Sequence, residues 1–241
     1  MRKKSSKNIV LLHGWGANAK KLEPLAVELT KKKWKVLVPQ LPGFDAEEPG
    51  EDWGLKEYDQ FVQIAARKAF GKGNYFLFGH SFGGRIAIKL AGLGPKNIEG
   101  IVLCATGGLS RGNPVKRGAF FILAKTGKTL LGLPGVAHFW QTALYKLARE
   151  HDYEKATPRM KNIFKKVVAE NLRPKVKKIR LPVLILWGRK DRMTPISDAY
   201  YIKNTLPKAK LSVFENDGHK LPYDKPKEVA ENIETWAKNL Q

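Results

Sequence analysis

A doubly wound α/β fold with a mostly parallel sheet is predicted by three features of this 241-residue sequence. Short apolar runs rich in β-branched residues recur along it, they lack polar alternation, and stretches of helical pattern separate them. Apolar runs without alternation suit strands covered on both faces, as in a parallel sheet. Strand alternating with helix implies helices on both faces and right-handed crossovers.

Six strands are expected. NIVLL (8–12) is the first, and KVLVP (35–39) follows the amphipathic stretch KKLEPLAVELTKK, for which Asn18 is a natural start. LKEYDQFVQIAARKAF (55–70) reads as a helix leading to the strand YFLF (75–78). RIAIKLAGL then returns the chain to IEGIVLC (98–104). PVLIL (182–186) and KLSVF (210–214) complete the set, and PKEVAENIETWAKNL forms a closing helix that starts at Pro226. Between Cys104 and Pro182 no convincing strand occurs. The helical patterns VKRGAFFILAKTGKTLL, AHFWQTALYKLAREH and PRMKNIFKKVVAENL fill that interval instead. The expected organisation is a core of residues 1–108 and 177–241 with a helical lid inserted over 109–176. Ligands of open α/β sheets bind at the carboxyl edge, so a lid there would shape a pocket.

Composition narrows the class. A hydrophobic content of 43% with 27% charged residues fits a soluble globular protein. The apolar part of the N-terminus, Ile9 to Leu12, is too short for a signal peptide. GAFFILAKTGKTLLGL is cut by Lys125 and Lys128, so no stretch is expected to span a membrane. A single cysteine, Cys104, rules out an intramolecular disulfide, and a cytoplasmic location is expected. The formal net charge is +22, and residues 109–176 carry 14 Lys/Arg against four Asp/Glu. Such a balance attracts polyanions or acidic partners, although solvated lysines on an ordinary enzyme are the simpler explanation.

Gly79-His80-Ser81-Phe82-Gly83 fits G-x-S-x-G, with a predicted strand before it and a helix after it. A sharp strand-to-helix turn holds the middle residue in a strained conformation with its hydroxyl exposed, and small neighbours let the backbones approach. The free N–H groups at the start of that helix suit a developing oxyanion. Phosphate binding is the other use of a glycine-rich turn, but G-x-G-x-x-G spacing is lacking here, and G-x-x-x-x-G-K-[ST] occurs nowhere in the chain.

A serine hydroxyl needs a base, and the base needs an orienting acid. In such a fold the acid and then the histidine follow the serine, at the ends of later strands. Of five histidines, His13 and His80 come too early, and His138 and His151 fall in the insertion. His219 in SVFENDGHKLP follows a late strand and is the candidate base. Asp191 in WGRKDRMTP, just past PVLIL, is the candidate acid, whereas Asp217 reads as a turn residue before Gly218. Oxyanion donors are expected from the N–H groups of Phe82 and Trp15, with HGWG turning the latter toward the site. The Trp15 ring and His80 are candidate substrate contacts. No metal or organic cofactor is implied.

Together HGWG (13–16), LPGF (41–44), GHSFGG (79–84), WGRKDRMTP (187–195) and GHKLP (218–222) closely resemble the α/β-hydrolase superfamily, in its lid-bearing serine carboxylesterase branch. The pattern is most similar to esterases of pimeloyl-acyl-carrier-protein methyl ester. The resemblance implies Ser81 as nucleophile, Asp191 as orienting acid, His219 as base, and Trp15 and Phe82 as the oxyanion hole. Two departures stand out. Only seven residues precede Asn8, so the antiparallel hairpin usual in the family is expected to be missing. Gln40-Leu41-Pro42-Gly43-Phe44-Asp45 stands where D-x-P-G-x-G is usual.

The expected reaction is hydrolysis of a small-molecule carboxylic ester through an acyl-enzyme. Carbon–carbon bond hydrolysis and perhydrolysis use the same triad, and a slow-turnover ligand receptor is an alternative of another class. An acidic acyl carrier protein is a candidate partner for the basic insertion, through Arg111, Lys116, Arg117, Lys125 and Lys128. Nucleic acid is disfavoured, because no binding module is recognisable and Phe120, Phe121 and Trp140 read as lid core.

Overall fold

Six parallel strands form one open sheet in the order β2-β1-β3-β4-β5-β6. The structure, a computed structural model, describes residues 7–109 and 156–240. The strands are β1 (Asn8–Leu12), β2 (Lys35–Leu37), β3 (Tyr75–His80), β4 (Ile98–Cys104), β5 (Val183–Gly188) and β6 (Lys210–Phe214). Six strands were expected, without an N-terminal hairpin, and that is the sheet observed among the described residues. β2 stops at Leu37 rather than running to Pro39, a residue with no N–H to give to a ladder. β5 likewise begins after Pro182, whose carbonyl still accepts the Ile101 N–H at 3.0 Å.

Alternation decides which helix covers which face. Ile9, Leu11, Phe76, Phe78, Val102, Cys104, Leu184 and Leu186 share one face, packed on α1 (Glu23–Lys31) and the final long helix α8 (Pro226–Lys238). On α1 the buried residues are Leu25 and Leu29, one turn apart; α8 contributes Val229, Ile233 and Trp236. α2 (Leu55–Phe70) and α3 (Phe82–Ala91) pack on each other, and α3 lies against β3. β3 and β5 are buried along their whole length, which is why their sequences show no polar alternation.

The first two helical patterns of the expected insertion lie outside the described residues. The third forms α4 (Pro158–Ala169), capped by the Thr157 hydroxyl on the Met160 N–H, and is followed by α5 (Arg173–Val176). Both belong to the same compact unit as the sheet. Buried Arg85 of α3 donates to the carbonyls of Val167 and Glu170 at the end of α4, adding a donor where the helix C-terminus is short of them. The remaining α-helices among the described residues are α6 (Ile196–Thr205) and α7 (Leu221–Asp224), and a short 3-10 turn, Ala19–Leu22, precedes α1. Among the described residues no helix is long and apolar enough to cross a membrane.

The chain order reverses beside β1, which has β2 on one side and β3 on the other. Register sets the strand ends level: Leu12 pairs with Gly79, His80 with Cys104, Cys104 with Leu186, and Gly188 with Phe214. The loops that leave β1, β3, β5 and β6 therefore emerge along one edge, where open α/β sheets bind ligands.

Candidate active site

Ser81 stands at the turn between β3 and α3 with φ +50° and ψ −108°. A non-glycine residue rarely adopts such a conformation, at a cost of roughly 1–3 kcal/mol unless its surroundings enforce it. The surroundings do so through close packing. A Cβ on Gly79 would lie 2.4 Å from the Gly83 carbonyl oxygen, and one on Gly83 would lie 2.4 Å from that of Leu12. The Gly83 N–H donates to the His13 carbonyl at 3.1 Å, fastening the loop after β1 to the first turn of α3. The Ser81 hydroxyl makes no capping bond to the helix it opens.

That loop, His13 to Gly16, is held from below. His13 is fully buried; its Nε2 accepts the Leu41 N–H at 3.3 Å, so its Nδ1 carries the proton donated to the Gly14 carbonyl at 2.9 Å. Burial lowers its pKa to about 4, leaving the ring neutral. His13 thus braces the LPGF segment. Among the described residues, nothing accepts the backbone N–H of Trp15 or of Phe82. The Trp15 ring is 8% exposed and packs edge-on against Phe44, Phe82 and Phe164.

Asp191 and His219 meet on the other side of the edge. His219 Nδ1 lies 2.9 Å from Asp191 Oδ2. Asp191 Oδ1 accepts the N–H groups of Met193 and Thr194 at 2.8 and 2.9 Å, and Oδ2 takes the Thr194 hydroxyl at 2.6 Å. Burial works to raise the Asp191 pKa, but the bonds from His219 and Thr194 outweigh it and hold the carboxyl below its ordinary range. An ionised carboxylate can only accept, so His219 carries a proton on Nδ1, and in the neutral form of the ring Nε2 is the nitrogen with the lone pair. Trp187 Nε1 bonds the Thr194 carbonyl at 3.0 Å and fixes the loop that carries the acid. Asp217 serves through its backbone, accepting the Lys190 N–H at 2.9 Å.

His80 brings the two halves together. It directly precedes Ser81, and its ring centroid is 4.9 Å from that of His219. Its Nε2 lies 2.8 Å from the His219 carbonyl oxygen, and its Nδ1 lies 3.0 Å from the Tyr223 hydroxyl. Thr194 and Tyr223 were not picked out by sequence reasoning. The Thr-Pro after the acid could have flagged the first; nothing local flags Tyr223. Among the described residues, no group of three or more His, Cys, Asp or Glu side chains could hold a metal ion.

A family model for the alpha/beta hydrolase fold matches residues 7–226. The chain belongs to that family. Among its relatives is the pimeloyl-[acyl-carrier protein] methyl ester esterase of Nitrosomonas europaea, 25% identical over 88% of this chain and 88% of that protein. Lipase 1 of Psychrobacter immobilis is 24% identical, over 97% of this chain and 77% of the other. Among solved structures, an esterase from Exiguobacterium antarcticum superposes with a TM-score of 0.73 at 19% identity, covering 97% of this chain and 92% of that one. A likeness at that identity speaks for the fold.

Proposed function

We propose that this α/β hydrolase cleaves carboxylic esters with Ser81 as nucleophile, His219 as general base and Asp191 as orienting acid. The observation that carries the reading is the Asp191–His219 pair, 2.9 Å apart and set against the residue that precedes the strained serine. Ser81 Oγ attacks the ester carbonyl while His219 Nε2 takes its proton. Asp191 stabilises the imidazolium that results, and the N–H groups of Trp15 and Phe82 receive the oxyanion. His219 then protonates the departing alkoxide, and water releases the acid by the same route. The relatives named as esterases support this class, and the family's fold supplies the order serine, acid, histidine.

Short-chain p-nitrophenyl esters test the proposal. Purified protein should hydrolyse them and be labelled at Ser81 by a fluorophosphonate, and Ser81→Ala should lower kcat by about 10⁴–10⁶-fold. Folded protein that shows neither turnover nor labelling overturns it.

The relatives' printed substrate, together with the basic composition of 109–176, supports an ester borne on an acidic acyl carrier protein as the substrate class. Residues 110–155, which carry Arg111 to Lys128, lie outside the described residues. Turnover of a carrier-bound ester should fall as salt rises, because surface charge steers encounter. Turnover indifferent to ionic strength removes the carrier from the reading and leaves the esterase intact. A cytoplasmic location belongs to the same reading, supported by the single buried thiol of Cys104.

A further inference from the structure

The hydrogen bonds around His80 have only one possible direction. A carbonyl oxygen can only accept, so the 2.8 Å contact with the His219 carbonyl requires a proton on His80 Nε2. His80 is 2% exposed, and burial drives its pKa down to about 3, so the ring is neutral and carries a single proton. Nδ1 is then an acceptor, and the Tyr223 hydroxyl, 3.0 Å away, must donate to it. A lone pair of the Tyr223 oxygen is left facing the Gly14 N–H, at 3.4 Å. The chain of donors runs from Gly14 N–H to Tyr223 O–H to His80 Nδ1, and from His80 Nε2–H to the His219 carbonyl.

Its two ends matter. Gly14 is the residue before Trp15, whose N–H is the candidate oxyanion donor, and His219 is the candidate base. The His219 ring is held at Nδ1 by Asp191, while its backbone is held by His80. We propose that Tyr223 and His80 are positioning residues that set the base and the oxyanion loop at once, so that neither drifts independently of the other. This rests on the assignment of Ser81, Asp191 and His219 above. A substrate contact through His80 would have to break the chain, since both ring nitrogens are engaged.

Three measurements decide it. Long-range ¹H–¹⁵N correlation on histidine-labelled wild type should show His80 as the Nε2–H tautomer, a readout that needs no turnover. Tyr223→Phe removes one hydroxyl. It should lower kcat roughly tenfold with KM nearly unchanged, the scale of one hydrogen bond lost from a positioned group. His80→Gln, whose amide can still donate to the His219 carbonyl, should keep more kcat than His80→Asn, which is too short to reach. A His80 ring protonated on Nδ1 overturns the proposal, and so does folded Tyr223→Phe with wild-type kcat while Ser81 is labelled by fluorophosphonate. Failure of that labelling in wild type would instead strike the assignment of Ser81, and the tautomer would still decide the chain of bonds.

Discussion

At Gly83 the missing side chain does what no other residue could. The Leu12 carbonyl oxygen occupies the place where a Cβ would sit, 2.4 Å away, and it is main chain that cannot swing aside. Gly83→Ala should therefore push β1 from α3 and destabilise the protein by about 1–3 kcal/mol, the usual cost of overpacking, read as a lower urea midpoint. Asp198 offers a test by pH. It is 3% exposed, and burial pushes its pKa up to about 6 against the pull of Arg173 and of the Leu109 N–H. A raised carboxyl pKa means that the folded state holds the proton more tightly than the unfolded one, whose value is about 3.9. Asp198 thus contributes its full stability below about pH 4, and that contribution is lost as pH rises through about 6. Asp198→Asn should flatten this fall between pH 4 and 6, seen by comparing urea midpoints of the two proteins across that range. An identical pH dependence in both would refute the assignment.

Among elements, α8 shows how a helix is fixed to a sheet. Trp236 is 3% exposed, its ring centroid is 5.6 Å from that of Phe76, and it fills the space left by Gly100. Trp236→Ala should cost about 3–5 kcal/mol, with calorimetry showing the lowered Tm. Much of this level was legible from the sequence. The bounds of β1, β4, β6 and α2 coincide with their apolar runs or helical period; in β1 and β4 this is because strands covered on both faces have little polar interruption, whereas β6, at the sheet edge, is only partly buried. The turn at Ser81 was legible because glycines at fixed spacing leave few other uses. α6 was not, since Ile196, Tyr200, Tyr201 and Ile202 make no stripe of helical period and its buried residues include Asp198. The Tyr223–His80 bond was beyond reach for another reason: its partners lie 143 positions apart and meet only through the sheet.

For the molecule as a whole, the formal charge of +22 acts against compactness through self-repulsion. Raising NaCl from ~10 mM to ~150 mM shortens the Debye length from about 30 Å to about 8 Å, so Tm should rise over that range. A Tm that falls or stays level would mean that ion pairs such as Lys89–Glu170, at 2.5 Å, outweigh the repulsion. The strand order has a consequence for biosynthesis. Ser81 follows the third strand made, whereas its prospective partner His219 follows the sixth, which pairs at the far side of β5. Under the assignment proposed above, a growing polypeptide on the ribosome would carry a dormant serine until β6 has docked, and the hydroxyl would become reactive only in a chain whose sheet is already complete.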